Sequence, residues 1–142
     1  MSENRSSRED IHYDGKLCAV IIRNHAMAEG VSFYTSDDNS LQFGQHSYKQ
    51  GKIIKPHRHQ TVKVEFFDSP QEVLYIEKGK VRVFFYSDDD KQFDQRDIST
   101  GDTILLKQGG HSFEFLEETK MLEVKQGPYN AQSTIRFEGK RS

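Results

Sequence analysis

The six residues KPHRHQ, 55–60, place two imidazoles, His57 and His59, one residue apart just after a proline. In an extended strand, residues i and i+2 point to the same face with α-carbons roughly 7 Å apart. His57 and His59 would then project in parallel and could converge on one ion, with Arg58 turned the other way. Alone, the pair reads equally well as a solvated basic turn, because two-residue motifs recur by chance. His111 is a third group. It follows Gly109-Gly110 and opens the alternating run HSFEFL, in which Phe113 and Phe115 share its face and mark that face as buried. A single buried histidine is more simply a hydrogen-bonded core residue. Glu72 is the fourth group. In QEVLYIEKG it lies on the strand face of Leu74 and Ile76, where an unpaired charge is costly. Exposure at a strand end, or a salt bridge to Lys55 or Arg82, would also satisfy it. Together, three imidazoles and a carboxylate suit one divalent transition metal (Fe, Mn, Ni or Zn) better than Ca or Mg, which prefer oxygen shells.

The elements that must position these groups are short. LCAVII (17–22), VSFY (31–34), LQF (41–43), KIIK (52–55), VKVEFF (62–67), VLYI (73–76), VRVFFY (81–86), TILLK (103–107), HSFEFL (111–116) and MLEVK (121–125) are rich in Val, Ile, Phe and Tyr and separated by turn residues. That pattern predicts strands. Lys78-Gly79 predicts a tight hairpin with Gly79 at positive φ, YSDDDKQF (86–93) a polar loop, and STGDT (99–103) a turn on Gly101 and Asp102. NHAMAEG (24–30) is the one helix-like piece, with Gly30 as its stop. Residues 1–15 are predicted to be a flexible tail, followed by a single domain over 16–142. Many short, evenly spaced strands predict an all-β sandwich or barrel. In MLEVK, Leu122 and Val124 face away from Glu123 and Lys125, and Glu114 and Glu123 are expected on the outer faces of their strands.

Bulk properties remove several function classes. A chain of 142 residues fits one domain. A net charge of −2 with basic and acidic residues interleaved argues against binding nucleic acid by phosphate neutralisation. The single cysteine, Cys18, excludes an internal disulfide and is read as a small core residue. MSENRSSRED has no apolar core of a secretory signal, and no run approaches the ~20 apolar residues of a membrane span. A cytoplasmic protein without membrane contact is expected. No Gly-x-Ser-x-Gly elbow supports a serine hydrolase.

The spacing of the candidate ligands resembles the cupin superfamily. The first cupin motif runs glycine, five residues, His-x-His, a glutamate, six residues, glycine. Here Gly51, KIIKP, His57-Arg58-His59, Glu72, VLYIEK and Gly79 stand in that order. Gly101 and Gly109 stand where the second motif has its two glycines, with Lys107 in place of that motif's proline and His111 one residue earlier than its histidine. Twelve residues separate His59 from Glu72, and Glu65 within that stretch is the alternative carboxylate. EVKQGPYN (123–130) and IRF (135–137) further resemble small metal-binding cupins linked to surface-polysaccharide genes. The resemblance implies a jelly-roll barrel, the double-stranded β-helix, with His57, His59, Glu72 and His111 on one metal. It also implies a homodimer.

Four protein ligands on a six-coordinate ion leave two positions open, as in a catalytic rather than a structural site. The expected function is therefore a metal-binding small-molecule cupin, acting on or binding a polar ligand such as a sugar derivative or organic acid. Tyr48, Lys55, Arg82 and Arg136 are candidates to meet that ligand, although such side chains more often end in water. The alternatives are a non-catalytic sensing or partner-binding barrel, and a metal-free sugar-nucleotide epimerase-like cupin. The last requires one histidine backed by a carboxylate rather than three converging imidazoles.

Overall fold

The computed structural model describes residues 6–65, 69–128 and 130–141, with only the backbone of 140 and 141. The chain is all-β, with eleven strands in three sheets among the described residues. It divides into two compact units, Met1–Ala26 with Pro70–Ser142, and Met27–Ser69.

The first unit contains two sheets. The five-stranded sheet is ordered β1 (Arg8–Tyr13), β2 (Lys16–Ile22), β8 (Thr103–Leu106), β5 (Glu72–Lys78), β10 (Lys120–Lys125). The four-stranded sheet is ordered β11 (Lys140–Arg141), β7 (Lys91–Ser99), β6 (Lys80–Tyr86), β9 (Gly110–Phe115). Apart from the two-residue parallel contact of β11 with β7, all pairing is antiparallel. The sheets share one core: Ile11, Ala19, Ile21, Leu74, Ile76, Ile104 and Leu106 from the first, and Val81, Val83, Phe85 and Ile98 from the second. Strand β6 shows the cause most simply. Alternate residues Val81, Val83 and Phe85 are buried and those between are half-buried, the period-2 pattern of a strand with one covered face. Among the described residues, none of the three sheets closes into a barrel.

Several expected elements are corrected. Residues 8–13, expected in the flexible tail, form β1, with Ile11 only 1% exposed and paired with Ala19. NHAMAEG forms no helix, and residues 91–99, of which 91–93 were expected in a loop, form β7. Gly79 does have positive φ, 113°. However, β5 and β6 do not pair, so the chain turns at Gly79 from one sheet into the other. The turn at Gly101 (φ 87°) makes the reverse crossing from β7 to β8. A Cβ on Gly79 would lie 2.6 Å from the Glu118 carbonyl oxygen and 2.4 Å from Thr119 Oγ1. Gly79→Ala adds that clash to an unfavourable φ and is expected to destabilise the protein by about 2 kcal/mol, read as a lower urea midpoint.

The second unit contains a hairpin, β3 (Gly30–Phe33) with β4 (Gly44–Ser47). LQF is not a strand; β4 begins just after it. KIIK and the described part of VKVEFF, residues 62–65, form no strand, and Phe66 and Phe67 lie outside the described residues. No helix among the described residues is long and apolar enough to cross a membrane.

Candidate functional site

His111 and Glu72 come from different sheets. Glu72 opens β5, where alternation with the buried Leu74 and Ile76 turns it inward. The backbone at this point is clamped twice: the Gln71 N–H donates to Gln126 Oε1 (2.8 Å), and the Gln126 N–H donates to the Gln71 carbonyl (3.1 Å). His111 is paired with Phe85 on β6. Cross-strand partners share a face, so His111 points to the same side as the buried Phe85, as its spacing with Phe113 predicts. The two inward groups meet, with His111 Nε2 3.1 Å from Glu72 Oε1 and their side chains 28% and 12% exposed. Phe113 flanks the imidazole, with ring centroids 5.4 Å apart.

A third group joins them. Glu123 pairs with Leu74 across the β5–β10 ladder and therefore lies on the inner side of β10, contrary to the outward position expected for it. Its carboxyl and that of Glu72 are close enough to shift each other. On the other side of β10, Leu122 and Val124 are each 54% exposed. The apolar pair in MLEVK suggests the opposite orientation, but Met121 is the residue of that strand that packs on the core. The hydrogen bond from His111 is the main cause that lowers the Glu72 carboxyl to about 2. The neighbouring Glu72 carboxyl and burial raise the Glu123 carboxyl. One proton held between two carboxyls, on Glu123, satisfies both shifts.

These groups open into a cavity of about 790 Å³, also lined by Tyr86, Ser112, Lys125, Arg136 and Phe137. The Tyr86 and Ser112 hydroxyls are 2.9 Å apart. The lining thus draws on the terminal strands β9 and β10 and on the segment that follows β10. Of the candidate ligand contacts, Arg136 lines the cavity. Arg82 instead forms a two-pronged ion pair with Asp97 (2.8 and 3.1 Å), and Tyr48 and Lys55 belong to the second unit.

His57 and His59 are also in the second unit, on an exposed segment without strand structure. Their rings stand edge to face with centroids 5.4 Å apart. His57 Nδ1 is 2.9 Å from the Lys55 carbonyl oxygen, so Nδ1–H donates there and a neutral ring presents its lone pair at Nε2. Glu65 is exposed and paired with Lys63 Nζ at 2.7 Å. The four expected ligands therefore come together as two pairs, each within its own unit. Among the described residues, no group of three or more His, Cys, Asp or Glu side chains has metal-binding geometry. The donor chemistry of the His111–Glu72 pair nevertheless fits a metal. Two ligand atoms at right angles around an ion, each at ~2.1 Å, are about 3 Å apart, close to the 3.1 Å found.

The inner positions of Glu123 and Lys125 become readable only once β10 is registered against β5. The register of β6 with β9 pairs Ser112 with Phe84 and Tyr86 with Gly110, on the face of that sheet opposite His111, so the cavity reaches both faces at the β9 edge. No family model, curated protein or solved structure matches the chain.

Proposed function

We propose that the chain is a cupin-type protein that binds a polar small molecule, with His111 and Glu72 at the centre of its site. The observation that carries this reading is the 3.1 Å contact between an imidazole and a carboxylate from two different sheets, both inward and both at the wall of a cavity. The jelly-roll part is supported by the way the chain alternates between sheets, crossing at Gly79 and again at Gly101. Within the first unit, Glu72 and His111 would hold a transition metal. An ion so held supplies Lewis-acid polarisation of a bound carbonyl or hydroxyl oxygen. The protein's own part is to keep Glu72 ionised against His111 and to orient the imidazole.

A second reading is favoured by the same contact. A histidine backed by a carboxylate is the arrangement a metal-free general acid–base needs, because the carboxylate fixes the ring and stabilises its protonated form. Elemental analysis separates the two. About one transition-metal atom per chain is expected in the wild type, with loss of the metal in Glu72→Gln/His111→Ala. A wild type that stays metal-free after reconstitution with Fe, Mn, Ni and Zn salts would overturn the metal centre, and the acid–base reading would replace it.

A further inference from the structure

The chain leaving β10 does not trail off. Residues 130–139 form a strap that begins with a 3-10 turn, Ala131–Ser133, capped by the Asn130 side chain accepting from the Gln132 N–H. Its far end is pinned. The Phe137 ring packs edge to face on Tyr86 with centroids 5.4 Å apart, and β11 continues directly onto the edge of β7. Two glycines make this seat possible. A Cβ on Gly110 would lie 2.7 Å from Phe137 Cζ, and one on Gly139 would lie 2.5 Å from Tyr86 Cε1. The strap is therefore a fixed wall of the cavity, and Arg136 is carried on it next to the pinned Phe137.

The charges of the wall are unevenly matched. Lys125 stands across the ladder from Glu72, so a negative group is already beside it. Arg136 makes no ion pair among the described residues, yet it lines the same cavity as the Tyr86 and Ser112 hydroxyls. A guanidinium has five donors in a planar fork and takes carboxylate or phosphate two-pronged. Hydroxyl groups can donate to the remaining oxygens of such an anion.

We infer that Arg136 is a specificity-determining residue of this cavity and that the ligand carries an anionic group, a carboxylate or a phosphate, held by the Arg136 fork. This rests on the reading that the cavity is the ligand site, but not on any metal. It adds to that reading a charge class and a recognition element placed by the strap rather than by either sheet.

The test is a titration of the full chain with citrate and with inorganic pyrophosphate, followed by amide chemical shifts and calorimetry. At least one anion should saturably shift the amides of residues 110–112 and 135–137. Response to citrate alone assigns a carboxylate, and response to pyrophosphate alone a phosphate. Arg136→Gln should weaken binding roughly 10- to 100-fold, the scale of losing charge-assisted hydrogen bonds. Arg136→Lys, with charge but no fork, should fall between. Phe137→Ala, which releases the strap and leaves Arg136 in place, should weaken the same anion. Unchanged affinity in Arg136→Gln, or no shift at those amides with either anion, overturns the inference. Loss in Arg136→Gln with no effect of Glu72→Gln/His111→Ala would keep it while removing His111 and Glu72 from the centre of the site.

Discussion

Arg23→Ala is expected to lower folding stability by about 3–5 kcal/mol, seen as a large fall in the urea midpoint. The guanidinium is 8% exposed and serves several segments at once. Its Nε donates to the Glu9 carboxylate of β1. Its Nη1 donates to the Asp97 carbonyl of β7 (2.7 Å) and to Asp102 Oδ2 in the turn before β8 (3.2 Å). The backbone N–H of Arg23 also donates to the Ser7 carbonyl (2.8 Å). Arginine at this position therefore joins the ends of both sheets of the first unit. Removing it leaves Asp102, 5% exposed, with a charge and no cation beside it. Two backbone donors, Asn24 N–H at 2.8 Å and Ser99 N–H at 2.9 Å, still hold that carboxylate, which places the loss toward the lower end of the range. Arg23→Lys keeps the charge but cannot reach Glu9, Asp97 and Asp102 together, so it should recover only part of the stability. The Arg82–Asp97 pair on the outer face of β6 is a contrast. It is solvent-screened, and its removal should have a much smaller effect.

The same network explains part of what the sequence conceals. The first three residues of β7 read as the end of a polar loop, and the inner positions farther along the strand include charges. Arg96 pairs with Val83 and Asp94 with Phe85 across the β6–β7 ladder. The two charges satisfy each other, and Arg96 Nε also lies 3.5 Å from Glu9 Oε1. Alternation counted in apolar residues cannot detect a strand whose inner face carries a half-buried ion pair beside a single fully buried residue, Ile98. Strand β1 is hidden in a similar way, since Ile11 is its one fully buried position. The opposite error occurs at 52–65. Ile53, Ile54, Val62 and Val64 have strand-forming side chains, yet all are exposed and none is in a ladder. Propensity alone does not make a strand without a pairing partner. The inward positions of Glu72 and His111 are legible because Glu72 alternates with Leu74 and Ile76 and His111 with Phe113, although Phe115, expected on the same buried face, is 55% exposed. That of Glu123 is not, because its inward face is set by the register of β10 against β5, which no single strand encodes.

That register leads to a prediction about acid. With metal stripped from the protein, wild-type stability should fall as pH drops from the ordinary glutamate range, 4.5, toward about 2. Glu72 is the cause. Its folded carboxyl is depressed, so its contribution is fully present above 4.5 and is lost as the pH falls through the folded value. Glu123 acts with the opposite sign. Its raised carboxyl stabilises the fold at low pH, and that contribution is lost as the pH rises through the raised value. That change falls above 4.5, so the slope between 2 and 4.5 is set by Glu72, and Glu123 opposes it only at higher pH. In Glu72→Gln the contribution of residue 72 disappears, and urea midpoints between pH 2 and 4.5 should flatten relative to wild type. The Glu123 side-chain carboxyl, followed by its carbon chemical shift, should titrate at lower pH in the variant, because the carboxylate that held its proton is gone. An unchanged Glu123 titration would mean that the two carboxyls do not share a proton, and that the His111–Glu72 contact stands without the third group.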